Sequence, residues 1–200
     1  MKATVLLLFA LGVRFAESVT DKQLMIACDD MTPRHPGYPS EESKGVANPY
    51  VINVQPVPVV PGALVNVTLT SQNGTTTFRG FMIQGRDEDN KILGTFLPQC
   101  ASENRTHHMI SCVSGNEPYN AVVQSNNKNK TSESFSWVAP KELKGTFKFK
   151  FTIVQDYKHY WIGEETAEVQ VAEHGENSIE VNSNYDYTIY RMYRINCPYD

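Results

Sequence analysis

The chain has 200 residues, 40% of them hydrophobic and 20% charged, with a formal net charge of −4. That length and composition suit one folded domain and exclude a generally disordered chain. The acidic balance excludes binding of nucleic acids or other polyanions through a broad basic field, so any anion site must be local.

Residues 1–18 have the form of a secretory leader. Met1-Lys2 gives a positive start, Ala3 to Val13 is almost wholly apolar, and Ala16-Glu17-Ser18 has the small-x-small pattern of a cleavage site. Its apolar run, interrupted by Arg14, is too short for a bilayer that needs about twenty residues, and no later stretch is long and apolar enough to span one. Cleavage before Val19 removes Lys2, Arg14 and Glu17, a net +1, and moves the formal charge from −4 to −5. The expected mature protein is secreted and extracellular, with a main domain over 19–172 and a tyrosine-rich extension over 173–200.

Beyond the leader, Asp29–Asn48 contains Pro33, Pro36 and Pro39 and predicts an ordered but irregular lead-in. From Tyr50 the pattern has period two. Val65, Val67 and Leu69 alternate with Asn66, Thr68 and Thr70, while Phe147, Phe149, Phe151 and Ile153 alternate with Lys148, Lys150 and Thr152. Ala167, Val169 and Val171 alternate with Glu168 and Gln170 near the end of the domain. Further short runs fall at Tyr50–Val54, Phe78–Gln84, Lys91–Phe96, Met109–Cys112, Ala121–Val123 and Ser134–Val138, separated by Pro, Gly, Asn or Ser. No helical stripe follows the leader. About eight or nine strands without long helices predict an all-β antiparallel sandwich, with the extension as an edge strand or docked tail.

Gln84–Gly94 predicts a hairpin with a polar tip. Its Asp87-Glu88-Asp89 cluster lacks the ligand spacing of a calcium loop and is expected to be solvated. An oxidising compartment makes the four cysteines, Cys28, Cys100, Cys112 and Cys197, a set of two disulfides with three pairings open; without C-x-x-C, a zinc ribbon does not fit. Asn66, Asn73, Asn104 and Asn129 stand in N-x-[ST] form and predict exposed glycosylation sites.

The sequence carries no nucleophile elbow, phosphate-cradling glycine loop or dinucleotide fingerprint, so no catalytic residue, cofactor or metal is expected. Strand neighbours point to opposite faces, which makes His107-His108 a surface pair rather than a chelate. Lys148 and Lys150 share a face about 7 Å apart at the strand rise, close enough to meet paired phosphates on a microbial lipid, or simply to be solvated. After them the strand gives way to Tyr157, Lys158, His159 and Tyr160. Aromatic loops at the end of a rigid sandwich are suited to recognition, with Trp161 packed beneath.

"CDDMTPRHPGYP" at 28–39, "NPYVI" at 48–52, "PGALVNVTL" at 61–69, "FRGFMIQGRD" at 78–87, "FSWVAP" at 135–140 and "GTFKFKFTIVQDYKHYW" at 145–161 occur in an order that resembles the reeler (reelin-like) domain. They are most similar to the small secreted arthropod defense proteins that consist of that domain alone. The resemblance implies an immunoglobulin-like β-sandwich and a Cys28–Cys112 bridge, which leaves Cys100 with Cys197. It also implies binding of bacterial surface lipids or glycans, lipopolysaccharide and lipoteichoic acid among them. Support of antibacterial or haemocyte responses would follow, in haemolymph if the source is an arthropod. Reeler domains in matrix and neuronal proteins give the alternative, an adhesion or developmental role. The tyrosine-rich end has no counterpart in the family.

Overall fold

The computed structural model describes residues 21–98 and 105–173. The leader, Cys100, Cys197, Asn104 and the tyrosine-rich extension beyond Glu173 lie outside the described residues. In chain order the elements are a helix α1 (Asp21–Asp30), a single 3-10 turn (Glu42–Lys44), and the strands β1 (Tyr50–Gln55), β2 (Leu64–Ser71), β3 (Gly80–Arg86), β4 (Ile92–Leu93), β5 (Thr95–Phe96), β6 (His107–Ile110), β7 (Ala121–Gln124), β8 (Ser132–Val138), β9 (Thr146–Val154), β10 (Tyr160–Glu165) and β11 (Val169–Gln170).

The period-two alternation closes two antiparallel sheets. One runs β1-β2-β8-β5; the other runs β10-β9-β3-β7-β6, with β11 beside β9 and β4 beside β3. The fold is the expected all-β, immunoglobulin-like sandwich. Its strand count exceeds the expectation in two places: Tyr160–Glu165, not among the expected runs, forms β10, and Lys91–Phe96 is two strands in different sheets, Leu93 pairing with Gly85 in the second sheet and Thr95 with Val138 in the first. Gly94, at φ +73°, makes the crossing. As expected, β3 and β4 form a hairpin around the acidic tip.

Inward-facing residues of both sheets make the main core. Trp137 is fully buried, stacked on Phe147 at 5.2 Å and meeting Phe149 edge-on at 5.1 Å. Each such aromatic contributes about 1.5–3 kcal/mol from burial and about 0.5–1.5 kcal/mol from ring geometry.

A second, smaller core lies on the outer face of the β3–β7–β6 region, and here the expectation of no helix after the leader is corrected. Leu24, Ala27, Cys28 and Met31 fall at i, i+3, i+4 and i+7, the spacing of one helical face, and pack against Met82, Ile110 and Val123. The stripe escaped notice because it is short, built partly of Ala and Cys, and abuts the proline-rich lead-in. The Cys28–Cys112 disulfide, with Cα atoms 5.6 Å apart, ties the helix to the sheet and agrees with the pairing that the resemblance implied. At the helix end the Cys28 carbonyl accepts from Gln84 Nε2 at 3.1 Å and from Arg86 Nη2 at 2.8 Å. This satisfies an orphan carbonyl with a cation at the negative end of the dipole. Burial lowers the Arg86 pKa, opposed by Asp29 and Asp87; a guanidinium this basic stays charged.

Candidate functional site at the sandwich rim

The β9–β10 turn is shaped by Asp156. Its Oδ1 accepts from the backbone N–H of Lys158 at 2.8 Å and of His159 at 3.0 Å, and its carboxylate meets His159 Nδ1 at 2.8 Å. Burial pushes the Asp156 carboxyl up, but these hydrogen bonds outweigh it and hold the pKa below the ordinary value. The ionised aspartate therefore fixes the turn at neutral pH and leaves Tyr157 and Lys158 facing outward.

The lead-in folds back over this turn. His35 stacks on Tyr157 with centroids 4.5 Å apart, Tyr38 meets the same ring edge-on at 5.5 Å, and Lys158 Nζ lies 5.6 Å from the Tyr38 centroid. Tyr157 is 52% exposed and Tyr38 37%, so two segments about 120 residues apart build one open aromatic platform with a cation at its side. His35 Nδ1 is buried with no hydrogen-bond partner among the described residues. Burial lowers the His35 pKa, opposed by the Tyr157 backbone and the Asp156 charge, which keeps the ring neutral where it stacks.

Several expected site residues are placed differently. Tyr160, expected in the exposed loop, is 4% exposed and opens β10; its hydroxyl donates to the Tyr38 carbonyl and its own carbonyl accepts from Glu41 N–H at 2.8 Å. Its role is to strap the lead-in down: Trp161 faces the main core, and Tyr160, on the opposite side of the strand, is covered by the lead-in, with His35 edge-on at 5.0 Å. His159 stays exposed, but its Nδ1 is committed to Asp156. Trp161 packs beneath as expected and donates from Nε1 to the Val46 carbonyl at 3.1 Å.

Lys148 and Lys150 do share the outer face of β9, but both reach Glu165, at 3.3 and 3.8 Å. The irregularity in β10 between Trp161 and Glu164 puts Glu164 opposite Phe151 and Glu165 opposite Lys150, and the local charge is thereby lowered. His107 is not half of a surface pair. It is buried on an inward-facing position of β6, edge-on to Phe135 at 4.8 Å and 3.4 Å from Glu133 Oε2, whereas His108 contacts Ser125 on the outside. Asn66, Asn73 and Asn129 are all exposed. Asn73 accepts from the N–H groups of Thr75 and Thr76, and Asn129 from Arg79. Among the described residues, no group of three or more His, Cys, Asp or Glu side chains has the arrangement of a metal site.

The His107–Glu133 contact gives a pH prediction. Burial pushes the Glu133 carboxyl up, but hydrogen bonds with His107 and Thr106, with the charges of His107 and Lys130, bring it below its usual 4.5. A depressed carboxylate pKa stabilises the fold above the unfolded value, and this stabilisation is lost as pH falls through the folded value. Glu133→Gln is therefore expected to cost about 1–3 kcal/mol at neutral pH. In urea unfolding as a function of pH, its deficit relative to wild type should close below the ordinary glutamate range. A deficit independent of pH would remove the ionised contact as its cause.

The domain is thus a β-sandwich clamped to its lead-in by a disulfide, with an aromatic platform at one rim. Residues 26–177 match the Reeler domain family, and the chain belongs to it. It is 32% identical over 151 residues to a protein of Antheraea mylitta that carries a defense-protein name, covering 74% of this chain and 88% of that one. It is also 32% identical over 145 residues to the defense protein l(2)34Fc of Drosophila melanogaster, covering 72% and 84%. Among solved structures it is similar to the reeler domain of human F-spondin, with 25% identity and a TM-score of 0.50 over 62% of this chain and 89% of that one. The relatives' names support a role in defense.

Sequence reasoning did not place His35 and Tyr38 in the site. Both stand in the quoted "RHPGYP", and aromatic and histidine side chains between prolines were the available signal. No pattern along the chain shows that this segment lies against the β9–β10 turn. Among the described residues, no helix is long and apolar enough to cross a membrane.

Proposed function

We propose that this chain is a secreted, non-enzymatic recognition protein of host defense. It binds microbial surface components such as lipopolysaccharide and lipoteichoic acid through the His35–Tyr38–Tyr157–Lys158 rim, and so supports antibacterial or haemocyte responses. The convergence of two distant segments on one exposed aromatic platform carries this reading. Tyrosine rings offer large contact area at small entropic cost, their faces suit the apolar faces of sugar rings, and Lys158 supplies a point charge for a neighbouring phosphate. The Lys148–Lys150 face is a secondary anion contact, moderated by Glu165.

The test is binding of purified protein to lipopolysaccharide, lipoteichoic acid and whole bacteria at physiological salt. Truncating both rim tyrosines, Tyr38→Ala with Tyr157→Ala, is expected to weaken binding by about tenfold or more, the scale of losing an aromatic anchor. Lys148→Glu with Lys150→Glu is expected to have a smaller effect, larger at low salt than at high salt. No binding by the wild-type protein would overturn the function. Unchanged affinity in the tyrosine variant, with the fold intact, would move the site elsewhere.

A further inference from the structure

The outer face of the first sheet carries no charge. Its cross-strand rows run Asn53–Thr68–Ser134 and Gln55–Asn66–Ser136, with Val51, Thr70 and Ser132 on one side and Leu64, Val138 and Thr95 on the other. Within β1, β2, β5 and β8 the one charged residue is Glu133, and it contacts His107 on the inward side. In a chain that is 20% charged, a whole sheet face of hydroxyls, amides and scattered apolar groups is unusual. The opposite sheet shows lysines and glutamates on its outer side.

Among the described residues, this face also borders an edge that no further strand covers. β1 is the terminal strand of its sheet, and its sequence YVINVQ contains neither charge nor proline. Natural edge strands are normally blunted by charges, prolines, bulges or a covering element, because bare backbone donors and acceptors invite pairing with another chain. No such device is built into β1 itself.

The sequon Asn66-Val67-Thr68 lies in the middle of the face. Asn66 is exposed, its Nδ2 donating to Thr68 Oγ1 at 3.3 Å, and Thr68 Oγ1 lies 3.0 Å from Ser134 Oγ. Gln55 on the open edge is its cross-strand partner. We propose that the uncharged outer face of the β1-β2-β8-β5 sheet seats the oligosaccharide attached to Asn66, and that this sugar keeps the open β1 edge from pairing with a second copy. A neutral, hydroxyl-rich glycan matches the face in charge and in hydrogen-bonding groups, and attachment one strand from the edge lets it reach past Gln55. This inference rests on the secretory reading of residues 1–18, since glycosylation of this kind requires that route.

The full chain, leader included, is expressed in a secreting insect cell line, and the residues at 66, 73 and 129 are mapped by peptide mass spectrometry. Asn66 is expected to be modified. Asn66→Gln, or enzymatic removal of the sugar from the folded protein should the variant fail to fold, is expected to raise the dimer and higher-oligomer fraction severalfold in light scattering. Amide exchange in β1 and β2 should quicken, while Thr68→Ser, which keeps the sequon, behaves as wild type. A bare Asn66 overturns the inference; sugars on Asn73 and Asn129 would then show that the secretory reading survives, and retention of residues 1–18 would show that it falls too. A modified Asn66 whose removal changes neither oligomerisation nor exchange overturns the shielding role.

Discussion

Gly94→Ala is expected to destabilise the domain by about 2–5 kcal/mol, a large share of the stability of many single domains. Gly94 has φ +73°, a left-handed conformation that costs an L residue roughly 1–2 kcal/mol. A Cβ built there would lie 2.2 Å from Trp137 Cζ2 and Cε2. Trp137 has no room to retreat, since Phe147 and Phe149 pack against it and it is fully buried. Overpacking of this kind typically costs a further 1–3 kcal/mol or so. Urea and thermal unfolding followed by tryptophan fluorescence measure the loss, and about 3 kcal/mol corresponds to a fall in Tm of roughly 6–12 °C for a domain of this size. Trp137→Phe in the same background should recover part of it by opening space over residue 94. A Gly94→Ala protein as stable as wild type would mean that the chain does not cross between the sheets over this indole.

Removing the Cys28–Cys112 bridge by Cys28→Ala with Cys112→Ala is expected to cost a comparable amount. The bond closes a loop with a sequence separation of 84 residues, for which the chain-entropy account gives roughly 4–5 kcal/mol, and native disulfides in small domains typically give 2–5. The loss has a local side as well. With α1 released, Met82, Ile110 and Val123 lose their cover, while Gln84 and Arg86, both buried, lose the Cys28 carbonyl that they share. Dye binding to exposed apolar surface should rise, with the Trp137 cluster still folded below the new midpoint. Denaturant unfolding of the variant checks the magnitude, and a shift below about 1 kcal/mol would show the helix held by packing alone.

The strands were legible because a face buried on one side leaves a period of two in the sequence, clearest at Phe147–Ile153. Gly94 hid a change of sheet inside what looked like one run, since a turn of a single glycine leaves no gap in hydrophobicity. The same alternation that revealed β9 placed Lys148 and Lys150 outside, but only the register between β9 and β10 shows Glu165 opposite them. The β9–β10 turn was visible as a candidate surface through its aromatic residues. Its other wall was not, because His35 and Tyr38 come to it across most of the chain. His107 looked like a surface residue for a related reason: its partner Glu133 belongs to a different sheet.

The lead-in is bound to the sandwich through the Cys28 bridge, through the Met31 carbonyl that accepts from Thr152 at 2.8 Å, and through the Tyr160 hydroxyl and carbonyl, which meet the Tyr38 carbonyl and the Glu41 N–H. Between the last two, residues 34–38 touch the rim and contribute nothing to the main core. The side chains of that stretch can change while the anchors hold the architecture constant, and under the proposed role such changes alter ligand preference.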